Sequence, residues 1–169
     1  MKTLSPLFLT LGLLSLGACS SDSAPEIHFS DAESAMTQAE AATAANNTET
    51  AQAAYDFALQ EGDAATKADA LYGMLNLQLQ NGLEDQAIDT FHRLSADFQD
   101  RLKSSDVIKF LQTADAQSLA QAGDTMLAYA ADRFPELRAE LVKLEKSFED
   151  LRKNAPVDNV VKELGYPGD

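Results

Sequence analysis

The sequence predicts an all-α fold, a short α-solenoid of antiparallel helix pairs closed by a C-terminal capping helix. Apolar residues recur every three or four positions from about residue 30 to residue 153, which is the period of a helix with one buried face. Residues that cap or end helices divide this stretch into short segments. A pattern of small and aromatic residues also recurs after 36 positions, which indicates that neighbouring helix pairs are copies of one unit.

Capping residues set the bounds of the first four predicted helices. Ser30 and Glu33 form a capping-box signature for the first helix. The stretch Asn46-Asn47-Thr48 is predicted to end the first helix and cap the second, Asp63 is predicted to cap the third, and Asn81-Gly82 is predicted to end it. The predicted helices cover residues 30–45, 48–62, 63–81 and 83–98.

Two copies of one unit account for these four helices. The recurring positions lie on the second helix of each copy, and they pair Ala51 with Ala87, Tyr55 with Phe91 and Ala58 with Leu94. This pattern resembles the tetratricopeptide repeat, a helix-turn-helix unit of about 34 residues. The second copy departs from that family at Gln78, where an aromatic residue is usual, and at Gln99, where proline is usual. A generic helical bundle with alanine-rich contacts is the alternative.

Residues 104–134 are expected to form a third, degenerate helix pair. Ser104 or Ser105 is predicted to cap its first helix, and Gly123-Asp124 is predicted to turn the chain into its second. No register places the alanine and aromatic positions of the repeat together here. We therefore expect a hairpin that stacks on the second copy without obeying its consensus.

The last long helix is predicted from Pro135 to about Lys153, because proline is favourable at the first helical position. Its apolar residues alternate by four and three positions, and they are Leu137, Leu141, Leu144, Phe148 and Leu151. A coiled-coil dimer is one interpretation of this stripe. The stripe spans only two heptads, however, whereas three or four are typical of a coiled coil, so we favour a helix that caps the solenoid.

The C-terminal tail, residues 154–169, carries a second and shorter apolar stripe. Its candidate partner-binding residues are Val157, Val160, Val161, Leu164 and Tyr166. A free helix of about eight residues is marginal in water, so we expect the tail to dock on something. Docking on the chain's own helical domain and insertion into a partner's groove are both open.

The N-terminal residues 1–18 have the features of a secretory signal, with Lys2, an apolar run over 7–14 and small residues after it. The apolar run is shorter than the about 20 residues that span a bilayer. Leu16-Gly17-Ala18-Cys19 resembles the bacterial lipobox. The resemblance implies that the chain is cut before Cys19, that diacylglycerol is linked to its thiol, and that the new amine is acylated.

Ordinary secretion, with cleavage after Ser20, is the alternative at the N-terminus. Cys19 is the only cysteine of the chain and stands where a lipobox needs it, which favours the lipoprotein. Ser20 also replaces the aspartate that often retains such proteins in the inner membrane. The resemblance therefore implies a protein anchored in the bacterial outer membrane and facing the periplasm.

The composition of the remaining chain favours a tethered, acidic domain. Residues 19–29 are small, polar and interrupted by Pro25, as in a flexible tether, and residues 30–153 form the helical domain. Lys2 is the only charged residue among the first 18, so its removal takes the formal charge from −14 to −15. Such a charge opposes binding to nucleic acid.

The sequence shows no catalytic constellation, and we predict neither an enzyme nor a cofactor. Asp85, Asp89 and His92 share one face of the fourth helix and are the best candidates for a metal site or an acid-base pair. They lie opposite the apolar face of that helix, so we expect them to be solvated. No Ser-His or Cys-His pairing and no glycine-rich phosphate loop is present. We therefore predict no metal site.

Two classes of function remain. The preferred hypothesis is a membrane-anchored periplasmic adaptor that binds a protein or peptide partner in envelope assembly or secretion. The alternative is a structural envelope lipoprotein that forms homo-oligomers through its last helix and tail and has no separate client.

Overall fold

The computed structural model describes residues 28–154, and every regular element within this range is helical. Seven α-helices follow one another, with short 3-10 turns at Gln99–Arg101 and Pro135–Leu137. The helices are α1 (Ala32–Ala44), α2 (Thr48–Glu61), α3 (Ala64–Gln80), α4 (Glu84–Asp97), α5 (Ser104–Ala116), α6 (Ala120–Arg133) and α7 (Arg138–Asn154). Within residues 28–154, no helix has both the length and the apolar composition needed to cross a bilayer.

Asp63 caps α3 as the sequence predicts, and Asn47, the middle residue of the predicted stretch Asn46-Asn47-Thr48, caps α2. The side chains of Asn47 and Asp63 each accept a backbone N–H bond from the first turn of their helix, at 3.2 and 2.8 Å. At α1 the predicted cap is wrong by one residue, because Asp31 and not Ser30 accepts the N–H of Ser34, at 2.7 Å. The Ser30 hydroxyl donates to the Asp31 carboxylate instead, since an ionised oxygen is the stronger acceptor.

The seven helices pack in two layers. Helices adjacent in sequence contact one another in five pairs, α1–α2, α2–α3, α3–α4, α5–α6 and α6–α7. In addition α1 contacts α3, α3 contacts α5, and α5 contacts α7, so the odd-numbered helices form one continuous layer. Helices α4 and α6 contact each other in the second layer.

Helix α3 joins two apolar cores. Its residues Leu71, Leu75 and Leu79 belong to the larger core, which extends through α4 to α7, whereas Met74 and Leu77 belong to a smaller, alanine-rich core with α1 and α2. All six positions of the 36-residue recurrence are buried, namely Ala51, Tyr55, Ala58, Ala87, Phe91 and Leu94. Small side chains in the smaller, alanine-rich core let α1 and α2 approach closely.

The third helix pair turns at a different place from the predicted one. Helix α5 ends at Ala116, and Ser118 adopts a left-handed backbone with φ of 59° in the short connection to α6. Gly123 is buried inside α6 and forms no turn. A Cβ atom at this position would lie well within 3.0 Å of the Phe148 ring, so the glycine is required by packing and not by backbone conformation.

The apolar stripe of α7 is buried within the chain itself. Leu141 and Phe148 are buried in the larger core, and Leu137, Leu144 and Leu151 pack partly buried against it. Polar contacts also join α7 to its neighbours. The Ser147 hydroxyl donates to Asp115 Oδ1 on α5 at 2.6 Å. Arg152 pairs with Asp124 on α6. The stripe therefore packs on the chain's own larger core, as a capping helix would.

Candidate binding groove

A groove crosses the layer of odd-numbered helices from α1 to the start of α5. It consists of two cavities of about 540 and 480 Å³, whose walls share Asp69 and Tyr72 of α3. We call it the acidic groove, and its other lining residues are Glu33, Met36, Glu40, Tyr55, Thr66, Ala68, Gly73, Leu94, Asp100, Arg101, Leu102, Lys103 and Asp106.

The floor of the acidic groove is aromatic and apolar. Met36 and Tyr72 are half-buried, and Tyr55 is buried. The Tyr55 ring lies directly against Gly73, where a Cβ would stand only 2.5 Å from it. The Tyr72 ring packs on Phe110 of α5, with 4.8 Å between the ring centroids. These contacts fix the two tyrosine rings, so the floor is preformed.

Acidic side chains dominate the walls. Five carboxylates line the groove, which are Glu33, Glu40, Asp69, Asp100 and Asp106, against the two cations Arg101 and Lys103. Both cations belong to the cavity near α5. Arg101 Nη2 lies 3.0 Å from Asp69 Oδ1, at the boundary between the cavities. Among residues 28–154, neither Glu33 nor Glu40 has a salt-bridge partner, so the negative charge is uncompensated at the α1 end.

Tyr72 is a neutral hydrogen-bonding group in this setting. Burial raises the pKa of its hydroxyl, and the charge of Asp106 together with a hydrogen bond to it raises that pKa further. The phenol therefore stays protonated over the physiological pH range. It presents a polar hydroxyl and a neutral ring, and it is unsuited to act as a base or a nucleophile.

Comparison of the chain with family models, with curated proteins and with solved structures gives no match.

The three residues that the sequence offers as candidates for a metal site or an acid-base pair do not line this groove. Asp85, Asp89 and His92 are exposed on α4, as their position opposite the apolar face predicts. In the part of the chain that the structure describes, no group of three or more His, Cys, Asp or Glu residues could hold a metal ion.

The site residues predicted from the sequence lie outside the described range. These are the lipid-attachment residue Cys19 and the tail residues Val157, Val160, Val161, Leu164 and Tyr166.

The sequence holds a signal for the groove that helical periodicity alone does not reveal. Glu33, Met36 and Glu40 are spaced i, i+3 and i+7 and therefore share one face of α1. A charged helical face is usually solvated, however. Only the packing of α1 beside α3 turns this face towards Asp69 and Tyr72.

Proposed function

We propose that the protein is a lipid-anchored adaptor of the bacterial outer membrane. Its helical domain is a short tetratricopeptide-like α-solenoid facing the periplasm, and its groove binds a protein or peptide partner in envelope assembly or secretion. The observation that carries this proposal is the acidic groove, which crosses successive helices of one layer and has a preformed aromatic floor.

The 36-residue recurrence supports a repeat architecture. Every recurring position is buried on the second helix of its pair, and the first helices of the pairs contact one another in order. Repeats stacked in this way create an extended binding surface along one layer. Gln78, which departs from the repeat pattern, is buried and its side-chain oxygen has no hydrogen-bond partner among the described residues.

The lipobox resemblance of Leu16-Gly17-Ala18-Cys19 supports the anchor. Two or more acyl chains hold a protein stably on a membrane, whereas one gives reversible binding. Phe29 packs on Phe57 of α2, with 5.2 Å between the ring centroids, so a flexible tether would run from Cys19 to about residue 27 and give a root-mean-square reach of roughly 15 to 18 Å. Confinement beside the membrane raises the effective concentration of a partner, so modest affinity in the groove suffices.

Binding suits the groove better than catalysis does. Its lining residues in the described part of the chain include no histidine, cysteine or serine. Four of its five carboxylates, those of Glu33, Glu40, Asp69 and Asp100, are exposed to solvent, as on a recognition surface. Leu141 and Phe148 of the α7 stripe are buried within the chain, and the other stripe residues pack partly buried against the same core, which supports an adaptor over self-association through that helix.

Site-specific photocrosslinking in cells tests this function. A photoreactive amino acid replaces Met36 in the groove or, as the matched control, Asp89 on the exposed face of α4. We expect one protein partner to be crosslinked from position 36 and not from position 89. The Cys19→Ser form should fold with the same thermal midpoint, leave the membrane fraction and lose most of that crosslink. Equal crosslinking from both positions, or undiminished crosslinking by the Cys19→Ser form, would contradict the proposal.

A further inference from the structure

The α1 end of the acidic groove has both a charge and a shape that select a ligand. Glu33 and Glu40 stand one above the other on α1, and Asp69 of α3 closes the same cavity. This cavity of about 540 Å³ contains no cationic side chain among its lining residues. A ligand that supplies positive charge would therefore meet two carboxylates on α1 that have no salt-bridge partner among residues 28–154.

The chain itself shows how a cation fits this groove. The Arg101 guanidinium donates to Asp69 Oδ1 at 3.0 Å, with both side chains about half exposed. This pair stands where the two cavities meet. The remaining carboxylates of the α1 cavity have no such partner within residues 28–154. A ligand would repeat at Glu33 and Glu40 the pairing that Arg101 makes at Asp69.

The floor between these carboxylates suits long cationic side chains. Lysine and arginine lay their methylene groups along apolar surface while the charged end reaches polar groups. Met36 offers such a surface, and the half-buried Tyr72 ring offers a face for a cation. A purely apolar ligand would leave the carboxylates unpaired, and an acidic ligand would be repelled.

Charge also excludes the chain's own ends and a second copy as the occupant. The tail beyond Asn154 carries Asp158, Glu163 and Asp169 against the single cation Lys162. The segment from Ser20 to Ile27 carries two carboxylates and no cation. The whole chain has a formal charge of −14, so a second copy would be repelled as well.

We infer that the acidic groove binds an extended, lysine- and arginine-rich segment of a separate protein, with cations at Glu33 and Glu40 and one over the Tyr72 ring. This inference rests on the proposed adaptor function and names the chemistry of the partner. The partner's segment is basic, and the groove selects it by charge and by its long aliphatic stems.

Fluorescence anisotropy on the full-length protein in detergent tests the inference. The probe is a fluorescein-labelled ten-residue peptide of alternating lysine and alanine, and the comparison peptide alternates glutamate and alanine. We expect saturable binding of the lysine peptide that weakens with added salt, and no binding of the glutamate peptide. Binding of both peptides, or of neither, would overturn the inference.

Matched double variants distinguish the effect of the groove carboxylates on peptide binding from the effect of the chain's overall negative charge. Glu33→Gln with Glu40→Gln removes two groove carboxylates, one in the first turn and one further along α1. Asp85→Asn with Asp89→Asn removes two exposed carboxylates from equivalent places on α4. We expect the first pair to raise the Kd of the lysine peptide roughly fivefold and the second to leave it unchanged. Equal effects of the two pairs would refute a groove site.

The two proposals fail in different experiments. A partner crosslinked at position 36, together with unchanged peptide binding by the Glu33→Gln, Glu40→Gln variant, would disprove the charge selectivity and leave the adaptor function standing. The absence of any crosslinked partner at position 36 would remove the adaptor function itself. Circular dichroism of each variant verifies that the fold is retained.

Discussion

The aromatic ring of Phe148 on α7 lies directly against the α-carbon of Gly123 on α6. Both residues are buried, and the ring occupies the space that any side chain at position 123 would need. The hydrogen of glycine is thus the only substituent that fits between the two helices. This contact seats the last helix on the domain, together with the pairing of Arg152 and Asp124.

We predict that Gly123→Ala destabilises the protein by about 2 kcal/mol. Alanine favours helix more than glycine does, but overpacking against a buried ring outweighs this gain. Urea unfolding followed by circular dichroism measures the change. Phe148→Leu is the test of cause, because in that background the same alanine should cost markedly less. A Gly123→Ala protein as stable as the wild type would show that α7 can shift at no cost.

Glu84 of α4 caps a helix to which it does not belong. Its Oε1 atom accepts the backbone N–H groups of Gln121 and Ala122 at 2.8 and 3.1 Å, in the first turn of α6. Leu119, at the N-cap position of α6, supplies no side-chain bond. The carboxylate therefore satisfies two N–H groups that would otherwise be left to solvent.

Glu84→Ala is expected to lower the free energy of unfolding by about 1 to 2 kcal/mol, since it removes two charge-assisted hydrogen bonds. Asp85→Ala is the matched control. Asp85 also lies in the first turn of α4, but it makes no bond to α6. Chemical denaturation measures both variants, and equal losses would mean that the bonds from Glu84 to α6 contribute nothing beyond its charge.

The cap of α3 makes part of the stability dependent on pH. The Asp63 carboxylate accepts the backbone N–H of Thr66, and this bond together with one to the Thr66 side chain lowers the pKa of Asp63. A lowered pKa stabilises the fold above the pKa of the unfolded chain, about 3.9. The stabilisation is lost as the pH falls from there through the pKa of the folded protein.

Asp63→Asn should therefore flatten the pH dependence of stability below about pH 4, because asparagine caps a helix without titrating. Unfolding midpoints measured at several values between pH 6 and pH 3 give the comparison. Asp89→Asn, which removes an exposed carboxylate that caps no helix, is the control. Identical curves for wild type and the Asp63→Asn protein would contradict the role of the cap.

Deleting the tail tests whether its candidate partner-binding residues contact a partner or the chain's own helices. We predict that removing residues 156–169 lowers partner crosslinking and leaves the thermal midpoint unchanged. Phe148 already packs against Gly123 and the larger core, all within residues 28–154, so the last helix is seated without the tail. A fall in thermal stability would instead show that the tail docks on the chain's own helices.

Local signals in the sequence predicted most of the helices and failed at identifiable residues. Asp63 and the stretch around Asn47 are recognisable as caps because side-chain oxygens before a helix accept its free N–H groups. The predicted cap Ser30 and the observed cap Asp31 are adjacent, and only the backbone geometry decides which oxygen reaches the N–H of Ser34. The predicted turn at Gly123 is wrong because glycine serves both turns and close packing, and the ring that requires it, Phe148, lies 25 residues further on.

Sequence alone sets the helical period, the caps of α2 and α3, the apolar stripe that ends in α7 and the surplus of negative charge. These properties depend on side chains a few positions apart, which interact in any helix. The tertiary structure alone decided that Glu84 caps α6 and that the charged face of α1 turns towards Asp69 to form a groove. Such pairings join residues about 30 to 40 positions apart, and their geometry exists only after the helices have packed.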